Sequence, residues 1–331
     1  MQTKALLLTK ANDEAPVDVS LTNVDLPAIE DGQVLVAVDY SSLNYKDALV
    51  IKGLGGLAKT YPHVPGIDMA GTVLESRDAA FKPGDAVVQT GFFLGERYWG
   101  GYAQHCVTQG KYLVKMPSGM DAKKAMTIGT AGFTAMQAVM QMEHNGLMPD
   151  NGPVMVLGAT GGVGSVACAI LANLGYEVHG ATGKSDQHDW LKSLGVAQVV
   201  SRDEHEVEKP RALDREIYAG CVDTVGGHSL ACILPKMAYR GSVACLGLAG
   251  GNKLNTTVVP FLLRGVNILG IDSVQCPAEL RPGIWTRLVS DMPDAMYHAV
   301  ESMVGLDALP DLADSILAGQ VKGRTLVDLS A

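Results

Sequence analysis

Residues 154–164 read Val-Met-Val-Leu-Gly-Ala-Thr-Gly-Gly-Val-Gly. A short apolar run of this kind reads as a buried strand, and here it stops at a glycine-rich turn. Beyond the turn, Val166, Ile170 and Leu174 recur at helical spacing. In a strand–turn–helix unit the N–H groups of the helix N-terminus point at a pyrophosphate, and the glycines allow its close approach. The spacing Gly158-x-x-Gly161-x-x-Gly164 departs from the strict G-x-G-x-x-G fingerprint, so a merely structural turn is the competing reading. The strand before it and the helix after it favour a dinucleotide site.

The same rhythm continues outward. Apolar runs at 176–181, 197–201, 221–225, 242–248 and 266–271 read as further strands, with a helix around Trp190, Leu191 and Leu194. Strands alternating with helices imply a doubly wound parallel sheet, the Rossmann arrangement. Upstream, residues 1–125 hold short apolar runs punctuated by Asp31-Gly32, Pro65-Gly66 and Pro83-Gly84, the signature of a mostly β domain. From about Gln275 helical periodicity returns, ending in a strand-like Thr325-Leu326-Val327-Asp328-Leu329. The expected division is a nucleotide-binding α/β domain at 126–274 inserted into a catalytic domain made of 1–125 and 275–331. The active site is expected in the cleft between them.

Composition limits the partners. The chain has 331 residues, 47% hydrophobic and 18% charged, as in a globular protein. A net charge of −9 argues against nucleic acid, whose phosphates need a basic face, and obliges any anionic ligand to find locally basic ground. No apolar run reaches membrane-spanning length, and Met1 to Leu8 reads as neither signal peptide nor anchor. Six scattered cysteines (Cys106, Cys168, Cys221, Cys232, Cys245, Cys276) form no C-x-x-C pair and read as reduced thiols of a cytoplasmic protein.

The cofactor is chosen at the tip of the second strand of the nucleotide domain. NAD sites place an acid there for the ribose 2′-hydroxyl. Here the run is Val178-His179-Gly180-Ala181-Thr182-Gly183-Lys184-Ser185, without Asp or Glu. Thr182 can donate a hydrogen bond, Lys184 brings a positive charge, and Arg202 follows the adjacent third strand. Together they suit a 2′-phosphate and hence NADPH. The alternative is that Thr182 and Ser185 cap a helix while Lys184 and Arg202 are solvated.

Four segments resemble a known family: 41–48 (Ser-Ser-Leu-Asn-Tyr-Lys-Asp-Ala), 65–71 (Pro-Gly-Ile-Asp-Met-Ala-Gly), 129–136 (Gly-Thr-Ala-Gly-Phe-Thr-Ala-Met) and 321–327 (Val-Lys-Gly-Arg-Thr-Leu-Val). They look like the zinc-free quinone oxidoreductase branch of the medium-chain dehydrogenase/reductases, and most like its NADPH-dependent acrylyl-CoA reductases. The resemblance spans essentially the whole chain and implies a GroES-like β domain plus a Rossmann domain, a homodimer, and a small CoA thioester as substrate. Zinc alcohol dehydrogenases carry a Cys ligand near the position of Asn44 and a His where this chain has Ile67. The four-cysteine zinc lobe is also missing, so no metal is expected. Without a Lewis acid, alcohol oxidation recedes. Hydride addition to the β-carbon of an enoyl thioester or quinone remains open, because the carbonyl absorbs the charge.

Carried over residue by residue, the resemblance assigns Thr160, Gly161, Gly162 and Val163 to the pyrophosphate. It assigns Thr182, Gly183, Lys184 and Arg202 to the 2′-phosphate, and Leu248, Leu262 and Ser273 to the nicotinamide half. Core packing competes for the two leucines and a turn role for Ser273. Tyr45 is expected to touch the cofactor; proton donation and simple packing are its other readings. Asn44 is a candidate donor to a thioester carbonyl or, equally, a turn residue. Arg324 reads as a phosphate or carbonyl clamp or as a surface salt bridge. His63 and His105 read as structural. Lys46, Lys52, Arg97 and Arg264 are candidate partners for the CoA phosphates. The leading function is reduction of acrylyl-CoA to propanoyl-CoA. The alternatives are a quinone or enone reductase and, in another class, a non-catalytic NADPH-binding protein.

Overall fold

A computed structural model describes residues 1–330. The chain divides into two compact units: Met1–Thr130 with Ser273–Val289 and Glu301–Ala331, and Ala131–Asp272 with Ser290–Val300. The observed boundaries differ from the expected ones at three places. Residues 126–130 and 273–274, expected in the nucleotide-binding domain, belong to the first unit, and residues 290–300, expected in the catalytic domain, belong to the second.

Unit 1 opens with a two-stranded antiparallel sheet of β1 (Gln2–Thr9) and β2 (Asp18–Asp25). β3 (Gln33–Leu43) then alternates, burying Val34, Val36 and Val38, the period-2 pattern of a half-covered strand. It leads into helix α1 (Tyr45–Ile51). β4 (Asp68–Ser76), β5 (Ala86–Thr90), β6 (His105–Gln109) and β7 (Val114–Lys115) complete the N-terminal part. Helix α2 (Ala122–His144) carries the chain out of unit 1. It is broken at Gly129, whose φ of 52° and ψ of −159° are non-helical.

Unit 2 holds β8 (Val154–Leu157), α3 (Gly162–Asn173), β9 (Val178–Thr182), α4 (His188–Ser193), β10 (Gln198–Ser201) and α5 (Arg202–His205). It continues through β11 (Tyr218–Asp223), α6 (Gly227–Ile233), β12 (Met237–Cys245), α7 (Val259–Arg264) and β13 (Asn267–Gly270). The strands form one parallel six-stranded sheet in the order β10-β9-β8-β11-β12-β13. Its order reverses beside β8, the switch point at which open α/β sheets bind dinucleotides. β8 is buried along its whole length, as its unbroken apolar run demands. Around it, Leu157, Cys221, Ile233, Leu234, Met237 and Val243 form a core. Each buried aliphatic side chain contributes about 1.5–3 kcal/mol.

The chain then forms α8 (Arg281–Asp291), α9 (Asp294–Val300), β14 (Glu301–Val304), α10 (Leu309–Leu317) and β15 (Arg324–Asp328). β14 and β15 extend the unit 1 sheet, ordered β14-β15-β3-β4-β5-β7 with β6 also paired to β3. Leu306, Leu309 and Ala313 pack with Val34, Val36 and Leu43 in one core, so the C-terminal return is integral to the first unit. The six cysteines are free; Cys245 is half-buried and the others are buried. Among the described residues no helix is long and apolar enough to cross a membrane.

Candidate active site

In unit 2 the glycine turn takes the shape that a phosphate cradle needs. Gly158 has a φ of +71°, and a Cβ there would stand 2.3 Å from Thr224 Oγ1. A Cβ at Gly164 would stand 2.3 Å from the Gly158 carbonyl oxygen. Both positions therefore exclude any side chain. α3 begins without a side-chain cap, which leaves its first-turn N–H groups for a ligand. Thr160 Oγ1 and Thr182 Oγ1 lie 3.1 Å apart in a hydrogen bond that ties this turn to the tip of β9.

The second strand tip is basic. β10 pairs with β9 so that Ser201 faces Thr182, which brings Arg202 beside Gly183. The Arg202 guanidinium carbon lies 3.3 Å from the place where a Gly183 Cβ would stand. Lys184 donates its N–H to Thr182 Oγ1 at 3.1 Å, and burial lowers its side-chain pKa, partly offset by Asp186. Ser201, rather than Thr182 or Ser185, is the helix cap here, its Oγ accepting from the Glu204 N–H. Arg202 is exposed, with its guanidinium in no ion pair among the described residues. These residues fit a ribose phosphomonoester.

Leu248 and Leu262 are 66% and 75% exposed, so core packing is not their role. Leu262 also sits on helix α7 rather than on a strand. Ser273 presents its carbonyl to the buried Arg281 guanidinium at 2.8 Å, within unit 1.

Unit 1 contains a buried polar cluster that the sequence reading did not assemble. Asp68, the first residue of β4, is fully buried. Its Oδ2 accepts from Ser42 Oγ at 2.6 Å, Asn44 Nδ2 at 2.8 Å and the Thr130 N–H at 2.9 Å. Its Oδ1 accepts from Thr130 Oγ1 at 2.5 Å. Arg324, on β15, donates to the carbonyls of Thr127 and Leu43, to Asn44 Oδ1 at 3.2 Å and to Ser42 Oγ at 2.9 Å. A Cβ at Gly129 would stand between 2.6 and 2.7 Å from Asp68, Ser42 and Arg324 atoms, which explains the break in α2. Arg324 is 3% exposed, so it is neither a surface salt bridge nor free to clamp a phosphate.

Asn44 lies at the centre. One amide nitrogen reaches both Asp68 Oδ2 and Asp47 Oδ2, at 2.8 and 3.1 Å, and its oxygen receives Arg324. With the amide so engaged, Asn44 acts within this cluster rather than on a thioester carbonyl. It also caps α1, which begins with Tyr45, 46% exposed. Lys46 is paired with Glu96 at 3.0 Å and Lys52 with Asp314 at 2.7 Å. Arg264 donates to the carbonyls of Pro235, Met237 and Asp214. Of the four candidate phosphate partners only Arg97, stacked over Phe93, has no anionic or carbonyl partner for its side chain among the described residues. His63 bonds the Gly95 carbonyl and His105 bonds Thr3 Oγ1.

Matches to known proteins fall on this geometry. Residues 30–118 match the alcohol dehydrogenase GroES-like domain, and residues 162–290 match the zinc-binding dehydrogenase domain. The acrylyl-CoA reductase AcuI of Ruegeria pomeroyi is 51% identical over 327 residues, covering 99% of each chain. The chain is a medium-chain dehydrogenase/reductase. The E. coli K-12 YhdH structure with bound NADPH superposes with a TM-score of 0.94 at 46% identity, over 98% of this chain and all 100% of that one. The Bacillus subtilis YhfP structure with NAD bound gives 0.95 at 40% identity, over 99% of this chain and 100% of that one. YhfP is described as a putative quinone oxidoreductase. The domain description notwithstanding, the donor set here does not fit zinc. Position 67 is isoleucine, both Asp68 oxygens are taken by hydrogen bonds, and a guanidinium shares the cluster.

The cluster carries one guanidinium for two buried carboxylates. Burial, then the charge of Asp68, pushes Asp47 up from 3.8 to about 7, against the N–H bonds from Ile67 and Asn44. The folded chain therefore holds a proton that the unfolded chain releases. Asp47 stabilises the fold fully below pH 3.8, and that contribution is lost as pH rises through about 7. Denaturant midpoints measured from pH 5 to pH 8 should fall with rising pH, and Asp47→Asn should flatten the slope. Equal slopes in both proteins would show that Asp47 is ionised throughout.

Proposed function

We propose that the chain uses NADPH to reduce the C=C bond of a short 2-enoyl-CoA, acrylyl-CoA to propanoyl-CoA. The observation that carries this reading is the 51% identity, over 99% of both chains, to a protein named acrylyl-CoA reductase. The basic tip of β9, where Arg202 lies over Gly183, supports NADPH rather than NADH. When bound, NADPH supplies the hydride that the β-carbon accepts, while the α-carbon takes a proton.

The chain's own residues bind and orient. The turn of Thr160, Gly161, Gly162 and Val163 holds the pyrophosphate against the N-terminus of α3. Thr182, Gly183, Lys184 and Arg202 hold the 2′-phosphate, and exposed Leu248 and Leu262 offer apolar contact to the nicotinamide half. Ser273 meets the ribose there. Tyr45, whose hydroxyl has no hydrogen-bond partner among the described residues, contacts the cofactor, and water supplies the α-proton. Asn44 holds the start of α1 and hence the place of Tyr45. The thiols and the lack of a membrane helix among the described residues agree with a cytoplasmic enzyme.

A quinone or enone reductase is the second reading, favoured by the likeness to YhfP. Saturable turnover of acrylyl-CoA at a kcat/KM well above that of simple quinones supports the first reading, and the reverse order supports the second. We further propose a homodimer. β13 is an edge strand paired only to β12, and Leu262 and Leu263 of the preceding helix are 75% and 66% exposed. A monomer mass independent of concentration would contradict it.

Arg202→Ala should raise the NADPH KM by roughly tenfold or more, the worth of a charge-assisted bond, and leave NADH use nearly unchanged. Equal losses with both cofactors would make Arg202 structural. Tyr45→Phe should raise the NADPH KM and lower kcat by less than about tenfold. A kcat loss beyond about a hundredfold with cofactor binding intact would instead make Tyr45 the proton donor.

A further inference from the structure

Unit 2 contains a cavity of about 300 Å³ lined by Pro210, Arg211, Ala231, Asn255, Thr256 and Thr257. Ala231, on α6, is its buried wall, while Arg211, Asn255 and the two threonines are exposed. The volume lies at the small end of the range for ligand sites, about 300–1,000 Å³. The lining is unusual in its charge: it includes a guanidinium and no carboxylate. Arg211 takes part in no ion pair or hydrogen bond among the described residues.

The segment that carries Arg211 has no regular secondary structure from residue 206 to residue 217, yet its start is fixed. His205 bonds the Ser229 carbonyl at 3.0 Å, and His228 bonds the Val207 carbonyl at 2.8 Å. Cys232 Sγ donates to the same Val207 carbonyl, Lys236 donates to the His205 carbonyl, and Ser229 donates to Glu206. Pro210 then restricts the backbone at the step into Arg211. The result is a cation on an anchored strap, which lowers the ordering cost of binding. Lining the cavity with it are Asn255 and Thr256, neither side chain hydrogen-bonded among the described residues. Thr257 Oγ1 accepts the Val259 N–H at 3.4 Å and keeps its own hydrogen. A planar five-donor fork beside neutral donors matches a phosphomonoester dianion. Exposed Lys209 and Lys253 lie two residues from Arg211 and Asn255 in sequence; of the strap's two exposed acids, Glu208 and Glu216, the second is paired with Arg264.

In a chain of net charge −9 such a site stands out, and of the other nominated cations only Arg97, stacked over Phe93 in unit 1, lacks an anionic or carbonyl partner among the described residues. Lys46 and Lys52 have carboxylate partners, and Arg264 is held by carbonyls. Arg202 lies over Gly183 at the position suited to the cofactor's own phosphomonoester. We infer that the cavity receives the 3′-phosphate end of the CoA thioester, with Arg211 as its anchoring residue. This rests on the reading that the substrate is a CoA thioester.

The test is calorimetric titration of adenosine 3′,5′-bisphosphate into protein saturated with NADP⁺, for the unaltered chain, Arg211→Ala, Arg211→Lys and Thr256→Val. It is joined to steady-state kinetics with acrylyl-CoA and with acrylyl-pantetheine. Arg211→Ala should weaken bisphosphate binding and raise the acrylyl-CoA KM by about tenfold or more. Its kcat and its KM for acrylyl-pantetheine should be unchanged. Arg211→Lys should restore part of the loss, and Thr256→Val should give a smaller loss of the same kind. The inference is overturned if the bisphosphate does not bind, or if Arg211→Ala leaves its binding unchanged. It is equally overturned if inorganic phosphate binds as well as the bisphosphate, or if Arg211→Ala alters the NADPH KM instead. Failure of the unaltered chain to turn over acrylyl-CoA would refute the proposed function. The titration needs no turnover and judges the cavity separately.

Discussion

The buried contact between Arg324 and the Asp68 cluster is the constraint on which unit 1 depends. A guanidinium removed from water is tolerated only when its donors find partners, and here they find carbonyls, an amide and a hydroxyl. Those partners come from the end of β3, the cap of α1 and the first half of α2, and Asp68 adds the start of β4 and the second half of α2. Removing one member of a buried charge cluster typically costs about 3–5 kcal/mol, because the others stay buried and unpaired. The same cluster holds Tyr45 at the first turn of α1, so the structural constraint and the candidate chemistry share residues.

The cluster also explains how a fold matching a zinc-dehydrogenase description manages without the ligand set. A metal site presents converging lone pairs to a cation. Here the lone pairs of Asp68 converge on N–H and O–H donors, and the cation nearby is Arg324. Polarisation of an alcohol is therefore not the chemistry these residues prepare, whereas addition to an already activated double bond needs only a positioned hydride source and a proton. In the proposed function unit 2 supplies the positioning, through the turn at Gly158 to Gly164 and the basic tip of β9.

Much of this was legible locally. The run at 154–164 reads as strand, turn and helix because burial on both faces and two sterically excluded side chains leave few other sequences there. The missing acid after Ala181 and the basic residues at 184 and 202 were likewise readable, since strand order fixes their proximity. Strand ends were less legible: β11 runs Tyr218–Asp223 and β12 Met237–Cys245, each earlier than the apolar run implied, because Val225 after β11, and Leu246 and Leu248 after β12, continue the hydrophobicity beyond the last paired residue. β14, with two exposed residues in four, has too little pattern to be seen. The roles of Arg324 and Asn44 were not legible, for a different reason. Their partners lie some 280 residues apart, and periodicity carries no information at that range. The one local hint was the N-x-x-D spacing of Asn44 and Asp47, a capping signal that marks the start of α1.

The most direct measurement is the fate of deuterium from C4-deuterated NADPH given to chelator-treated protein with acrylyl-CoA. The account predicts propanoyl-CoA with one deuterium at the β-carbon and a solvent proton at the α-carbon, at a rate unaffected by chelation. Deuterium appearing only at a carbonyl-derived carbon, or turnover that chelation abolishes and zinc restores, would contradict it.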